Sequence, residues 1–319
     1  MLVSIIIPLY NKEQYFERCF NSVAKQTYKN IECIIVEDCS TDNSLKLAEH
    51  LVRNYVGNIK FVLIKHEFNI GLSAARNTGI NNSNGEYVYF LDSDDEITDN
   101  CISSLVMLVE KYPDIDIVQG NMYQYPRAEK DIYDIKGKLP EFIRGNLEIK
   151  KCYFNRLPVN AVNKLIRKKF ITQNYLYFRN KLIHEDEHWY FFAIKKLESF
   201  AFTYEYCYIR YFLPDTIMTN PNLFPSISGY LTVIEDMLSN LDVDMLEKQL
   251  YKVHLLLNIS KDKIMSDEKY SSLMLRYETL SAKVPNTKFL MTLIMWDIKR
   301  QVKQTIKTII RKICGQRNN

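Results

Sequence analysis

The strongest constraint in this chain is a repeated alternation. A short β-branched apolar run is followed by a polar cluster and then by a segment with helical spacing. Val3–Ile7 stops at Pro8, and Ile31–Val36 stops at Glu37-Asp38-Cys39-Ser40-Thr41-Asp42. Ile59–Ile64 is a third run, Tyr87–Leu91 leads into Asp92-Ser93-Asp94-Asp95, and Ile115–Val118 is a fifth. Between them, residues 12–26, 45–52, 72–80 and 105–109 carry helical periodicity. Strands separated by such helices predict βαβ units and a mainly parallel sheet. In such sheets ligands bind at the carboxyl ends of the strands. Three polar clusters fall there: Pro8-Leu9-Tyr10-Asn11, Glu37–Asp42 and Asp92–Asp95. Each alone reads as a solvated loop, but together they converge on one crevice.

Composition narrows the classes. A chain of 319 residues with 47% hydrophobic and 25% charged residues is a folded globular protein, one large domain or a domain with an appendage. No run of about 18 apolar residues exists, so no membrane-spanning helix is expected. The start MLVSIIIPLYN has no basic region and does not read as a signal peptide. Seven cysteines, odd in number and without a CxxC, indicate neither a disulfide framework nor a zinc ribbon and suit a reducing cytoplasm. The net charge of +4 is unevenly spread. Residues 288–319 carry eight basic residues against one acid, a net +7, which leaves −3 for residues 1–287. A mildly acidic body argues against a nucleic-acid enzyme.

Asp92-x-Asp94-Asp95 crowds carboxylates into one turn, an arrangement that a cation relieves. Hard oxygen ligands suit Mg²⁺ or Mn²⁺, bound by one or two carboxylates plus substrate phosphates. No GxxxxGK[ST] or GxGxxG occurs, so a metal bridging a diphosphate is favoured over a glycine-rich cradle.

Five motifs appear in order: Pro8-x-Tyr10-Asn11, Glu37–Asp42, Asn69-x-Gly71-Leu72-Ser73-x-Ala75-Arg76-Asn77, Gly85-Glu86-Tyr87 and Leu91–Asp95. This ordered set resembles glycosyltransferase family 2, with the GT-A fold, over roughly residues 1–215. The resemblance implies a nucleotide-sugar donor and a role for each matched residue. Asp38 would hold the base, with Pro8 and Tyr10 lining its pocket. Arg76 would lie next to the base or diphosphate. Asp92 would sit at the ribose, and Ser93 joins this donor-binding set. Asp94 would ligate the Mn²⁺ or Mg²⁺ that bridges the donor diphosphate and stabilises the leaving group.

A second constellation is His184-Glu185-Asp186-Glu187-His188-Trp189. Its letters match the H-E-x-x-H pattern of zinc hydrolases, with Glu205 as a distant third ligand. The family resemblance implies instead that Glu185-Asp186 is the acidic pair on the acceptor side. Asp186 would then be the general base that deprotonates the acceptor hydroxyl, with inversion at the anomeric centre. Asn163-Lys164-Leu165 resembles the segment leading to the acceptor, although Val162 stands where a Trp is common. The Gln-x-x-Arg-Trp signature of processive synthases is absent, which favours transfer of a single hexose.

Beyond residue 215 the pattern changes. Residues 216–287 read as a helical extension, packed on the catalytic domain or forming a homodimer contact. In the last segment Ile298, Val302, Ile306, Ile309, Ile310 and Ile313 form one apolar stripe about 120° wide, with Arg300, Lys303, Lys307 and Arg311 opposite. This is either an interfacial anchor on anionic lipid or a helix packed on the protein. The expected protein is a cytoplasmic transferase at the inner face of the membrane, acting on a growing cell-surface glycan such as a lipid-linked polysaccharide intermediate. The alternatives are a zinc hydrolase and a non-catalytic GT-A scaffold. Deleting residues 288–319 is expected to lower liposome binding at low salt while transfer to a soluble acceptor persists; co-sedimentation checks this, and unfolding of the truncated chain would mean that the tail packs on the protein.

Overall fold

The computed structural model describes residues 1–126, 139–153, 160–213, 222–239 and 267–283, with a few positions between 250 and 257. The chain divides into two compact units, Met1–Asn220 and Pro221–Asn319.

The first unit opens with β1 (Val3–Leu9), α1 (Phe16–Ala24), β2 (Ile31–Glu37), α2 (Ser44–Asn54), β3 (Lys60–Lys65), α3 (Leu72–Asn82) and β4 (Tyr87–Phe90). The predicted strands and helices are therefore present, each within a few residues of its expected place. β1 and β2 are buried along their whole length, as central parallel strands covered on both faces must be. β3 is an edge strand with exposed Lys60 and Lys65 at its ends, which blunts an open edge. The order β3-β2-β1-β4 is parallel throughout. The chain builds outward from β1 on one side, then returns to place β4 on the other. That reversal opens a crevice beyond the carboxyl ends of β1 and β4.

β5 (Glu96–Ile97), α4 (Cys101–Lys111), β6 (Ile117–Tyr125), β7 (Phe142–Arg144), α5 (Asn146–Tyr153), β8 (Lys164–Arg167), α6 (Lys168–Gln173), α7 (Glu185–Lys196) and β9 (Ser199–Tyr211) complete the unit. The sheet continues β4-β8-β6-β9-β5, with β7 paired to β9. β8 is antiparallel to both β4 and β6. The sheet is thus mixed: β1, β2, β3, β4, β6 and β9 run in one direction, as expected of a mainly parallel sheet, and β5, β7 and β8 run against them.

Pro8 sits inside β1, paired with Val36 of β2. A proline in a buried strand lacks a ladder donor. Here β4 has already turned away, since its last link to β1 is Leu91 N–H donating to Ile6 O at 3.0 Å.

Helix α3 packs small residues on the sheet. Ala75 joins Ile34, Val36 and Ile64 in one apolar cluster, and Gly79 lies against Ile6. Gly71 starts the helix at φ +94°, a conformation that favours glycine.

In the second unit, α8 (Phe224–Leu238) and α9 (Glu268–Ser281) are joined by Arg276, which donates to Glu235 Oε2 at 2.6 Å and Thr232 Oγ1 at 2.9 Å. The amphipathic segment 288–319 lies outside the described residues. No described helix is long and apolar enough to cross a membrane.

A Cβ at Gly79 would overlap the Ile6 side chain. Gly79→Ala is therefore expected to destabilise the unit by about 1–3 kcal/mol through overpacking, against the stabilisation that the same change gives on an exposed helix face; chemical denaturation measures the sign.

Candidate active site

The crevice is built from three loops that follow β1, β2 and β4, joined by two segments from farther along the chain. The first two loops are stitched together. Asn11, in left-handed backbone at φ 50°, accepts from Thr41 N–H at 2.8 Å, and its own N–H donates to Ser40 Oγ at 3.1 Å. Tyr10 beside it is exposed, while Pro8 is buried in β1.

Asp38 is buried. Its Oδ1 accepts from Ile70 N–H at 3.0 Å and lies 2.7 Å from His66 Nδ1, and its Oδ2 accepts from Gly71 N–H at 2.8 Å. The carboxylate thus holds the turn that leads into α3. A carboxylate has about four acceptor positions, so these three contacts leave room for one ligand donor. His66 also contacts Thr78 Oγ1 at 3.0 Å through Nε2. Neither His66 nor Thr78 was singled out in the sequence, because nothing local marks a partner 28 residues away.

The acidic turn after β4 sends its three carboxylates in three directions. Asp92 Oδ1 accepts from Arg76 at 2.9 Å. Asp94 Oδ2 meets Lys12 Nζ at 2.6 Å, and the Asp94 carbonyl accepts from Arg18 at 2.7 Å. Asp95 turns inward to β9, accepting from Tyr208 OH at 2.7 Å and Tyr211 N–H at 2.8 Å. Burial first, then the charges of Asp92 and Asp94, push the Asp95 carboxyl up to about 8. Ser93 is buried between them in the chain.

Arg76 is the centre of the arrangement. It is almost fully buried and pairs with Asp92 at 2.9 Å and with Glu185 at 2.6 Å. Burial opposes its charge, but Asp92, Glu185 and Asp186 outweigh that and hold it protonated. The guanidinium also lies 5.2 Å from the Phe178 ring. The family resemblance implies a donor-side place for Arg76; the fold pairs it with both Asp92 and Glu185.

Glu185 and Asp186 open helix α7, where the macrodipole favours acids. Asp186 Oδ1 accepts from Glu187 N–H at 2.8 Å. Burial, then Glu185 and Glu187, raise the Asp186 carboxyl to about 7, with Arg76 opposing. Lys164 on β8 is wholly buried and donates to Asn160 O at 2.6 Å, Asn160 Oδ1 at 2.8 Å and Val162 O at 3.3 Å. Burial lowers its ammonium to about 7, and the charge of Asp186 resists that. Lys164 therefore braces the 160–163 segment. The sequence contained it only as part of a motif, and its burial was the missing signal. Val162, which stands where a Trp is common, is buried.

His184 is not on the helix. It precedes α7 with φ 69° and ψ 37°, a left-handed conformation. The H-E-x-x-H reading needs both imidazoles on one helix face, and that premise fails here. Its Glu185 is committed to Arg76, and Glu205 is exposed on β9.

Among the described residues no group of three or more His, Cys, Asp or Glu is arranged to hold a metal. A Mg²⁺ or Mn²⁺ that shares its shell with a diphosphate needs only one or two carboxylates. Asp94, partly exposed and held by a single lysine side chain, fits that requirement with hard oxygen donors and crowded neighbouring charge.

The family profile of Glycosyl transferase family 2 matches residues 4–176, more than half of the chain. This chain belongs to that family. Among curated relatives, glycosyltransferase GlyA of Streptococcus pneumoniae serotype 4 is 40% identical over 131 residues, covering 41% of this chain and 18% of GlyA. GlyG of the same organism is 38% identical over 133 residues, covering 41% of this chain and 42% of GlyG. The match thus spans well under half the length of these relatives. A crystal structure of S. aureus TarS 1-349 in complex with UDP-GlcNAc covers 89% of this chain and 84% of its own, with TM-score 0.66 and 20% identity. That likeness shows a shared α/β fold, the GT-A architecture with a mixed sheet and flanking helices.

The raised Asp186 carboxyl has a stability consequence. An unfolded Asp loses its proton near 3.9, whereas the folded one keeps it to about 7. In that window the folded state binds the extra proton, so this group's contribution falls as pH rises. Asp186→Asn is expected to raise Tm, and by more at pH 8 than at pH 5; thermal melts at the two pH values check the sign.

Proposed function

We propose that the protein is an inverting glycosyltransferase that moves a single hexose from a nucleotide sugar to an acceptor hydroxyl. The observation that carries this reading is the Asp92–Arg76–Glu185 bridge, which links the donor-side turn to a carboxyl poised near neutrality at Asp186. A general base works best with its pKa near the operating pH. Asp186 takes the proton from the acceptor oxygen as that oxygen attacks the anomeric carbon. The carbon–oxygen bond to the nucleoside diphosphate breaks on the opposite face, which inverts the centre. Glu185 keeps Arg76 and the base in register.

On the donor side, Pro8, Tyr10 and Asp38 form the base pocket, with Asp92 and Ser93 at the ribose. Asp94 would hold Mn²⁺ or Mg²⁺, which when bound would supply positive charge for the departing diphosphate. A UDP-sugar is the donor of choice; the UDP-GlcNAc complex of the TarS fragment supports that class. The acceptor is a growing cell-surface glycan, such as a lipid-linked polysaccharide intermediate. The segment 288–319 would bring residues 1–215, as catalytic domain, to the anionic inner membrane surface, and residues 216–287 would form a helical extension open to homodimer contact.

Asp186→Asn is expected to cut sugar transfer by about 10²–10⁴-fold while UDP binding, followed by calorimetry, persists. The wild-type rate should rise with pH through about 7. Full activity in Asp186→Asn would remove the base from this position.

A further inference from the structure

We propose that Lys12 is a built-in placeholder cation: it occupies Asp94 until a divalent ion arrives together with the donor diphosphate, and so makes metal binding conditional on the nucleotide. This rests on Asp94 as the metal ligand of the function proposed above.

Lys12 lies in the loop after β1 and Asp94 in the turn after β4, so the pair faces across the point where the strand order reverses. Lys12 Nζ is 2.6 Å from Asp94 Oδ2, and the two side chains are 28% and 20% exposed. The pair is accessible to an entering ion and still short enough to hold.

The Lys12 backbone is pinned on both sides. Its N–H donates to Ser44 Oγ at 2.7 Å, and its carbonyl accepts from Tyr15 N–H at 3.0 Å and Phe16 N–H at 2.9 Å as α1 begins. Only the four-carbon stem has to swing for the ammonium to leave Asp94. Arg18 also meets Asp94, but it is a fixture. It bonds the main-chain carbonyl rather than the carboxylate, pairs with Glu96 at 2.8 Å and stacks 3.4 Å from the centre of the Tyr211 ring. Lys12 is the cation on the carboxylate itself.

An ammonium and a metal ion cannot share Oδ2 in contact, and a divalent ion there repels Nζ. Metal entering alone therefore loses what the Lys12 pair contributes. A diphosphate arriving with the metal brings anionic oxygens within the reach of the same stem, so the displaced ammonium finds a new partner. Metal and nucleotide then favour one another, and by linkage the effect is reciprocal. Partly exposed pairs of this kind contribute up to about 1 kcal/mol, which is roughly fivefold in affinity.

The test is Mn²⁺ binding by the full chain, read as free Mn²⁺ by electron paramagnetic resonance, with and without UDP. Lys12→Met is expected to bind Mn²⁺ alone up to about fivefold tighter than wild type, and to show a smaller gain on adding UDP. Lys12→Arg, which keeps the charge, should behave like wild type and controls for folding. Asp94→Asn should lose Mn²⁺ binding in both backgrounds. If Lys12→Met binds Mn²⁺ alone no tighter than wild type while Asp94→Asn still abolishes binding, the placeholder role is overturned and the metal site stands. If Asp94→Asn leaves Mn²⁺ binding unchanged, the metal site is elsewhere and the placeholder role falls with it.

Discussion

The site depends on one buried guanidinium. Arg76 projects from α3 and pairs with Asp92 and with Glu185, a residue 109 positions away in sequence. A buried charge is tolerated only when paired, and removing one partner of such a pair costs about 3–5 kcal/mol. Both carboxylates must therefore be brought to it. Around Arg76 the packing repeats the demand. Phe178 lies beside the guanidinium, meets Phe90 edge-on at 5.3 Å and stacks on Trp189 at 5.6 Å. Asn77, the next residue, donates to Phe178 O and accepts from Phe178 N–H at 2.8 and 2.9 Å. One turn of α3 thus orients the segment that delivers α7 and its acidic pair.

Charge is separated by direction as well as by residue. The turn after β4 carries three aspartates within four positions, yet each finds a different neighbour: Arg76, Lys12, or the hydroxyl and backbone of β9. Asp95 serves as an anchor, kept largely neutral by burial. Asp92 and Asp94 each face a cation, the buried Arg76 and the partly exposed Lys12. The same logic applies to Asp186, which is poised near neutrality because burial and two adjacent glutamates outweigh Arg76. A carboxylate in that state costs stability above neutral pH, the usual trade between a working site and a rigid one.

Much of this was legible in the chain. The β-branched runs of β1 and β2 and the polar clusters after them read directly as strands and loops, because burial on both faces leaves no other pattern available. Asp92, Asp94 and Arg76 lie in the ordered motifs, and Glu185 and Asp186 were named through the family resemblance. Other features were not legible. β8 is four residues long, too short to show a period. His66 and Lys164 look like ordinary surface residues until the fold buries them. His184 and His188 share a helical spacing in sequence, but the left-handed turn at His184 takes the first of them off the helix.

Local sequence pattern dictates the parallel half of the sheet, the placing of three polar loops at one edge and the residue types gathered there. These follow from local periodicity and strand-end topology, which act over tens of residues at most. Which aspartate faces which cation, the reach of Arg76 to both Asp92 and Glu185, and the rest of Lys12 on Asp94 emerge from the folded packing alone. Those outcomes depend on burial and on pairing between residues 16 to 109 positions apart, and a charge's partner is chosen by the dielectric and geometry of the folded site rather than by its neighbours in the chain.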